Sequence, residues 1–285
     1  FMLRSEYNDY CKWVAEQLDN VQFGYSVQNI DYSKAAKIYT VTLVDSDNQA
    51  SQVQARHIVL GTGTTPVIPD FCHFYKDQIH MGANYLKHKE AYKNAKSITI
   101  VGSGQSGAEI YYDLLNDIDT HKYQLNWITR SNRFFAMDLN KLTLELTSPD
   151  YTSHFYDLDP EKRDELINSQ APLYKGINNS LINEIYDTLY IKTRNPEVKT
   201  RLIPSAQLNS LQYDDNQFTL SCSQKSSNKD FEMESEFLIL SLGYEYKKPE
   251  FLCPIAQYLN WDNQERLLPN KNYSITDENN IFVQN

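Results

Sequence analysis

The segment Ser97-Ile98-Thr99-Ile100-Val101-Gly102-Ser103-Gly104-Gln105-Ser106-Gly107-Ala108-Glu109 decides the fold, because an apolar β-type run breaks there into Gly-x-Gly-x-x-Gly and continues as a helical pattern. The first glycine permits a tight turn, the second lets the backbone approach a pyrophosphate, and the third lets helix and strand pack closely. The helix N-terminus presents free N–H groups to the anion. The segment predicts a dinucleotide-binding strand, turn and helix; a glycine-rich turn in an ordinary α/β domain is the alternative.

A second β-type strand with a basic end follows this turn. Residues 126–131 read Asn-Trp-Ile-Thr-Arg-Ser. An acidic residue about 20 positions after the turn would bind a free ribose 2′-hydroxyl and repel a 2′-phosphate. Arg130 can instead hold a phosphate through two hydrogen bonds, and Ser131 can donate another. This pattern favours NADPH over NADH, with a solvated basic turn as the alternative.

Composition and charge exclude several classes of protein. The 285 residues allow one large domain or two ordinary ones. The 27 basic and 37 acidic residues give a formal net charge of −10, which argues against a nucleic-acid partner. No run approaches the roughly 20 apolar residues of a membrane span, and the first residues lack the pattern of a secretory signal. We therefore expect no membrane partner.

The cysteines and histidines indicate neither disulfides nor a metal. Cys11, Cys72, Cys222 and Cys253 form no Cys-x-x-Cys pair, so we expect neither a disulfide framework nor a zinc site, and a reducing cytoplasm fits best. The six histidines form no ligand pair at helical spacing. We expect no bound metal.

The order of predicted elements places the nucleotide fold inside another strand-rich region. An apolar spacing of three and four over positions 3–18 predicts a helix, and strand-like runs at 25–30, 38–44 and 52–60 end at Gly61-Thr62-Gly63. Strand signals return at 217–222 and 236–242. We predict an inserted nucleotide domain over residues 93–247 and an outer domain over 1–92 and 248–285.

Motifs spread over most of the chain carry a family resemblance. They are Arg4-Ser5-Glu6-Tyr7 with Trp13, Phe23-Gly24, Gly61-Thr62-Gly63, the glycine turn with Gln105, Ser106 and Glu109, Thr129-Arg130-Ser131, Met137-Asp138, Ser148-Pro149-Asp150-Tyr151, residues 174–180, and Leu242-Gly243-Tyr244 before Pro249 and Phe251-Leu252. Together they resemble the flavin-dependent amine N-hydroxylating monooxygenases of siderophore biosynthesis, the L-lysine and L-ornithine N-monooxygenase family. The resemblance implies an α/β protein with two-dinucleotide-binding-domain flavoprotein architecture, an NADPH-binding Rossmann-like domain being inserted in an incomplete FAD domain.

The resemblance also implies a reaction and two cofactors. NADPH reduces FAD, O2 adds to form a C4a-hydroperoxyflavin, and the distal oxygen passes to a neutral primary amine, for hydroxamate-type siderophores. A homotetramer is implied as well. The residues implied to bind the cofactors are Gly102, Ser103, Gly104, Gln105, Ser106, Glu109, Arg130, Ser131, Arg4, Gly61, Thr62 and Gly63.

Asn178 is the implied catalytic and substrate-binding residue. It matches the family asparagine that lies beside both NADP and the substrate amine. A carboxamide offers a donor and an acceptor and does not titrate, so it can hold nicotinamide, ribose or amine. The alternative is a helix N-cap at Asn178 or Ser180, ahead of the apolar residues 181–182.

Leu144 is a departure from the family pattern in the substrate site. Amino-acid hydroxylases of the family have an asparagine here that helps hold the substrate carboxylate, and a leucine cannot hydrogen-bond to that charge. We therefore infer a substrate without an α-carboxylate: a diamine such as putrescine or cadaverine, or histamine. Alternatively, Leu144 only packs, and lysine or ornithine is held by other groups. Leu142, Leu144 and Leu146 alternate as in a strand.

The two ends of the chain differ from the family too. Family members open with a Gly-x-Gly-x-x-Asn/Gly turn for FAD and a substrate-binding lysine, and they contain another FAD- and substrate-contacting segment beyond the position of Asn285. Neither is in this sequence, so we expect a fragment or a naturally truncated protein without high FAD affinity. The alternative function is a truncated NADPH-binding module that lacks catalytic activity.

Two other enzyme classes share the architecture. A flavin disulfide reductase would need a redox cysteine pair, and no two cysteines are close in sequence. A Baeyer–Villiger-type or other heteroatom monooxygenase shares the mechanism. The Tyr174-Lys175-Gly176-Ile177-Asn178 segment favours the amine hydroxylases.

Overall fold

The computed structural model describes residues 3–284, and the side chain of Arg4 lies outside the described part. The six α-helices are α1 (Arg4–Glu16), α2 (Tyr85–Tyr92), α3 (Gln105–His121), α4 (Pro149–Tyr156), α5 (Pro160–Ser169) and α6 (Asn179–Lys192). The strands of the first half are β1 (Ser26–Ser33), β2 (Ile38–Val44), β3 (Ala50–Ala55), β4 (Ile58–Leu60), β5 (Thr65–Pro66), β6 (His80–Met81), β7 (Ser97–Val101) and β8 (Gln124–Ile128). Those of the second half are β9 (Thr200–Ile203), β10 (Ala206–Asp214), β11 (Gln217–Gln224), β12 (Lys229–Ser235), β13 (Phe237–Leu240), β14 (Tyr244–Glu245) and β15 (Ile281–Val283).

The described chain forms two compact units. The first contains the residues up to Gly63 and those from Tyr246 onward, and the second runs over Thr64–Glu245. These bounds differ from the predicted 93–247, because residues 64–92 pack onto the parallel sheet of the second unit. Strand β6 pairs with β13, Cys72 and Ile79 enter one core cluster, and two tyrosines of α2 enter another.

A five-stranded parallel sheet forms the centre of the second unit. Its strand order is β6-β13-β7-β8-β9, and Ile100 of β7 is in register with Ile239 of β13 and Trp127 of β8. Side chains on both faces are buried, as expected for a parallel sheet covered on two sides. The predicted strand, glycine turn and helix are confirmed as β7, the turn 102–104 and α3.

Different layers cover the two faces of this sheet. Helices α2, α3 and α6 cover one face around the stacked rings of Tyr111 and Trp127, whose centroids are 4.7 Å apart. The antiparallel sheet β10-β11-β12 covers the other, where Phe218 and Leu220 pack with Leu238. The sequence predicted only the middle of these three strands, residues 217–222.

The first unit is strand-rich, as predicted. Strands β1, β2 and β3 form an antiparallel meander, and β4 pairs in parallel with β15. Its core contains Ile30, Tyr39, Leu60 and Ile281. The predicted N-terminal helix is confirmed as α1, and the predicted strand over 52–60 is divided into β3 and β4.

Candidate functional site

The glycine turn after β7 is shaped by a close backbone approach to the end of β13. Gly102 has φ +114°, and its N–H donates to the Ile128 carbonyl at 2.9 Å. A Cβ on Gly102 would overlap the Ser241 carbonyl oxygen and lie 2.8 Å from its carbon. A Cβ on Gly107 would overlap the carbonyl oxygen of Gly102. Both positions therefore require glycine for reasons internal to the fold.

Gly104 is different, because it faces open space. It is the N-cap residue of α3, with φ −83°, and a Cβ built there meets nothing within 4 Å. A 17-residue helix begins at this point, so its first-turn N–H groups and its dipole favour an anion. Ser106, in that first turn, is exposed. The arrangement of an open glycine at a helix N-terminus fits a dinucleotide pyrophosphate.

The ends of β7 and β8 are joined by a hydroxyl pair. Ser103 Oγ lies 2.8 Å from Thr129 Oγ1, and the Ser131 N–H donates to the same Thr129 oxygen at 3.2 Å. Arg130 is exposed and forms no hydrogen bond or ion pair with the residues that the structure describes. Its guanidinium is therefore available to a ligand beside the glycine turn.

Gln105 connects the glycine turn to the segment that carries Asn178. Its Nε2 donates to Glu109 Oε1 at 3.0 Å, and its Oε1 accepts from the Asn178 backbone N–H at 2.8 Å. The contact with Glu109 fixes which end of the Gln105 carboxamide faces Asn178, because a carboxylate only accepts hydrogen bonds. Three residues that the sequence analysis singled out separately are thus in one hydrogen-bonded chain.

Asn178 is the N-cap of α6. Its Oδ1 accepts from the Ser180 N–H at 2.8 Å and from the Ser180 hydroxyl at 2.7 Å, whereas its Nδ2 donates to no other described residue. The N-cap alternative is therefore correct for Asn178 and wrong for Ser180. Capping uses the carbonyl oxygen of the carboxamide and leaves both Nδ2 hydrogens free, so it does not exclude a binding role.

A glycine also fixes the backbone ahead of Asn178. Gly176 has φ +145°, and a Cβ there would lie 2.8 Å from the Met137 nitrogen. Residue 177 pairs with residue 136: the Ile177 N–H donates to the Phe135 carbonyl, and the Met137 N–H donates to the Ile177 carbonyl, both at 2.9 Å. This close approach holds the start of α6 against residues 135–137.

Leu144 lies in a 3-10 helix, Thr143–Thr147, and not in a strand. The strand-like alternation is overridden because Asn140 Oδ1 accepts from the backbone N–H groups of Leu142 and Thr143, which starts a helical turn. Leu144 is 50% exposed and Leu142 is 84% exposed. Half of the Leu144 side chain is thus accessible to a ligand.

The remaining candidate residues belong to the first unit. Gly61, Thr62 and Gly63 follow β4 and are exposed; Gly63 has φ +64°, and a Cβ on either glycine meets nothing within 4 Å. Arg4 begins α1, and its side chain lies outside the described part of the chain. An open turn at the carboxyl end of a parallel strand is a typical place for a ligand.

Sequence reasoning named Thr129 only within the Thr129-Arg130-Ser131 motif and gave it no role, and it missed Ser241 as part of this region. Thr129 had a visible signal, since it is a hydroxyl residue directly between a buried strand and Arg130. Ser241 had no such signal, because its carbonyl contacts the glycine turn only through the folding of a strand about 140 residues away. Among the residues described, no helix has the length and apolar character to cross a membrane, and no three His, Cys, Asp or Glu side chains are grouped as metal ligands.

The parallel sheet, the glycine turn and helix α3 define a Rossmann-like α/β fold, and Asn178 lies beside the glycine turn through its hydrogen bond to Gln105. A family model described as L-lysine 6-monooxygenase/L-ornithine 5-monooxygenase matches residues 1–246, and the chain belongs to this family.

Several relatives that are named for an activity are similar to this chain in sequence, and one of them is also similar in structure. The chain is similar to a putrescine N-hydroxylase of Acinetobacter baumannii, with 54% identity over all of this chain and 64% of the relative. It is also similar to a putrescine N-hydroxylase of Shewanella oneidensis, with 40% identity over all of this chain and 57% of the relative. The chain thus spans less than two thirds of the length of these relatives. A crystal structure of the FAD-bound cadaverine monooxygenase of desferrioxamine biosynthesis from Erwinia amylovora superimposes with a TM-score of 0.93 and 41% identity, covering 99% of this chain and 66% of that one.

Proposed function

We propose that this chain takes part in the N-hydroxylation of a primary diamine for siderophore biosynthesis, with NADPH, FAD and O2. The balanced reaction is R-NH2 + NADPH + H⁺ + O2 → R-NHOH + NADP⁺ + H2O. The observation that carries the proposal is the hydrogen bond from the Asn178 N–H to Gln105, which places the candidate amine-binding carboxamide beside the nucleotide turn. The family and the names of the relatives support the same reaction.

In this proposal the second unit binds NADPH. The α3 N-terminus at Gly104, with Ser103, Gln105 and Ser106, holds the pyrophosphate, because the cradle there is open and rich in donors. Arg130 and Ser131 hold the 2′-phosphate. Glu109 acts indirectly: it accepts a hydrogen bond from Gln105 Nε2 and so fixes the orientation of the Gln105 carboxamide.

The first unit contributes to the FAD site through Arg4 and Gly61-Thr62-Gly63. Bound FAD supplies the chemistry that accepts two electrons from NADPH and transfers one atom of O2 to the amine. In domain terms, we assign the segments 3–63 and 246–284 to the FAD domain and 64–245 to the NADPH domain.

Asn178 holds the nucleotide and the amine with different atoms. Its Nδ2 donates to a carbonyl or hydroxyl oxygen of NADPH, since both hydrogens are free. Its Oδ1 is shared with the Ser180 hydroxyl, and rotation of that hydroxyl frees a lone pair for an N–H of the amine. Neither step changes the charge of Asn178, so this side chain binds the amine without giving it a proton or taking one from it.

A diamine is the favoured substrate because of Leu144. A half-exposed leucine provides apolar surface for a methylene chain and no partner for an α-carboxylate. The relatives from Acinetobacter, Shewanella and Erwinia are named for putrescine and cadaverine, which are diamines without a carboxylate.

Leu144→Asn is expected to shift the substrate preference toward the amino acids. One hydrogen bond to a carboxylate is worth about 1.5–3 kcal/mol, so the ratio of kcat/KM for ornithine to that for putrescine should rise about tenfold or more. Leu142→Asn is the matched control, because Leu142 precedes the same 3-10 helix and is largely exposed. A similar shift in both variants contradicts a specific role for Leu144.

Asn178→Asp is expected to separate capping from catalysis. Aspartate caps a helix as well as asparagine does, so the melting temperature should stay close to that of the wild type. The variant loses the Nδ2 donor, and removal of one such donor costs about 100-fold in kcat. Asn178→Ala, which also loses the cap, should in addition lower the free energy of unfolding by about 1 kcal/mol. Full activity of Asn178→Asp would show that Nδ2 has no catalytic role.

The experiment that tests the proposed function begins with the visible spectrum of the chain after incubation with excess FAD and removal of free cofactor. Retained flavin, followed by putrescine-dependent NADPH oxidation and N-hydroxyputrescine in the product, is the expected result. A colourless chain that still binds NADPH would favour the alternative of an NADPH-binding module. Flavin reduction without amine dependence would contradict amine hydroxylation.

The thiols argue against a disulfide reductase and fit the cytoplasm that we propose for this chain. All four cysteines are free, and burial raises the pKa of the Cys72 and Cys222 thiols to about 11. These two thiols are therefore protonated at neutral pH and unreactive. We also propose a homo-oligomer, a tetramer by family resemblance, which light scattering of the purified chain would test.

A further inference from the structure

We propose that Thr129 is a positioning residue that sets the preference for NADPH over NADH, by holding the Arg130-Ser131 turn beside the glycine turn. This inference rests on the NADPH binding proposed above. Thr129 is only 3% exposed, and its hydroxyl lies between Ser103 Oγ at 2.8 Å and the Ser131 N–H at 3.2 Å. One buried side chain thus connects the turn proposed to bind the pyrophosphate with the turn proposed to bind the 2′-phosphate.

The backbone of Thr129 is fixed independently of its hydroxyl. Its N–H donates to the Ile203 carbonyl at 3.1 Å, and its carbonyl accepts from the Ala206 N–H at 2.8 Å. The Ser131 carbonyl accepts from the Ser205 N–H at 2.7 Å. The main chain on both sides of Arg130 is therefore attached to the next segment of the unit, and the Thr129 hydroxyl projects from a rigid base toward Ser103.

One hydrogen bond of this chain has a fixed direction. The Ser131 N–H can only donate, so Thr129 Oγ1 accepts from it. A hydroxyl oxygen has two lone pairs, so either hydroxyl of the Ser103–Thr129 pair can be the donor in their contact. In the arrangement in which Thr129 donates to Ser103, the Ser103 proton remains for an anion at the glycine turn, and each bond strengthens the next.

The consequence for selectivity follows from what the two nucleotides share. NADPH and NADH have the same pyrophosphate, and only NADPH has the 2′-phosphate that Arg130 and Ser131 would bind. If the Thr129 hydroxyl is removed, the Ser131 N–H loses its acceptor and the Arg130-Ser131 turn loses its side-chain connection to Ser103, whereas its backbone hydrogen bonds remain. The affinity for NADPH should then fall more than the affinity for NADH.

The test is Thr129→Val, which keeps the branched shape and removes the hydroxyl. In the full chain we expect the Kd for NADPH to rise about tenfold and that for NADH less than threefold, with Thr129→Ser restoring most of the preference. Thr99→Val is the matched control. Thr99 is buried in the neighbouring strand β7, and its Oγ1 accepts from Asn126 at 3.3 Å, so its loss should lower the melting temperature without changing the ratio of the two Kd values.

A double-mutant cycle with Arg130→Ala gives a second readout. Arg130→Ala should cost much less NADPH affinity in the Thr129→Val background than in the wild type, because Arg130 is already held less firmly in its binding position there. If Thr129→Val does not fold, the same cycle with Thr129→Ala, which removes the hydroxyl and places no methyl group against Ser103, decides the question. Additive effects, or equal losses for NADPH and NADH, overturn the positioning role.

A wild-type chain without NADPH preference overturns the proposed nucleotide and this inference together, whereas a preference that Thr129→Val leaves intact overturns this inference alone.

Discussion

Gly102→Ala is expected to remove most of the folding stability of the second unit. The new Cβ would overlap the backbone carbonyl of Ser241, which cannot move aside without shifting the end of β13, an inner strand of the parallel sheet. In addition, φ +114° costs a non-glycine residue about 1–3 kcal/mol. The free energy of unfolding of a domain is only about 5–15 kcal/mol. The steric overlap and the backbone strain together should therefore remove most of the free energy of unfolding of the second unit. Urea unfolding followed by circular dichroism measures the loss.

Gly104→Ala is the control for Gly102→Ala, because it adds the same methyl group two residues later. At Gly104 φ is −83° and the space around the Cβ is open, so the melting temperature should change little. The methyl group would occupy the space proposed for the pyrophosphate, and nucleotide binding should weaken. If Gly102→Ala is as stable as Gly104→Ala, the close approach to Ser241 does not constrain the turn.

These two glycines show what a motif can and cannot predict. The spacing of Gly102, Gly104 and Gly107 predicted a turn between a strand and a helix, because the local sequence on each side has the required periodicity. The reason that Gly102 must be glycine is a carbonyl about 140 residues away, and no local pattern contains it. Local rules therefore located the turn, and the tertiary contact that shapes it required the folded structure.

The hydrogen bond between Gln105 and Asn178 is likewise a tertiary contact that no local sequence pattern contains. The two residues are 73 positions apart and were singled out separately, and the bond between them depends on how residues 135–137 pair with residue 177. The strand-like alternation around Leu144 failed for the opposite reason. There, two local hydrogen bonds, which Asn140 Oδ1 accepts from the backbone N–H groups of Leu142 and Thr143, determined the structure in place of the periodicity of three leucines.

The boundary between the units was hard to predict because of weak local signals. Strand β6 has two residues, and the segment before it is a 3-10 helix, Asp70–Tyr75, so residues 64–92 have little regular periodicity. Their place in the second unit is decided by Cys72, Ile79, Tyr85 and Tyr92, which pack into both core clusters of that unit. Burial of single side chains, and not a pattern, determines the boundary.

Arg130→Ala is expected to weaken NADPH binding about 10- to 100-fold and to change NADH binding less than about twofold. The estimate follows from a charge-assisted hydrogen bond to phosphate, worth about 1.5–3 kcal/mol. Arg130 forms no hydrogen bond, ion pair or ring contact within the described chain that its loss would break, so the fold should be unaffected. Fluorescence titration with both nucleotides, at fixed salt, measures the two dissociation constants.

Arg133→Ala is the matched control, three residues further along the same turn. The Arg133 guanidinium lies 4.6 Å from the centre of the Phe135 ring and is already engaged there. Its loss should affect both nucleotides equally and weakly. Arg130→Lys should restore only part of the affinity, since a lysine cannot form the paired hydrogen bonds of a guanidinium. Equal weakening of NADPH and NADH by Arg130→Ala would mean that Arg130 attracts the nucleotide by charge alone, and the 2′-phosphate would then have to be recognised elsewhere.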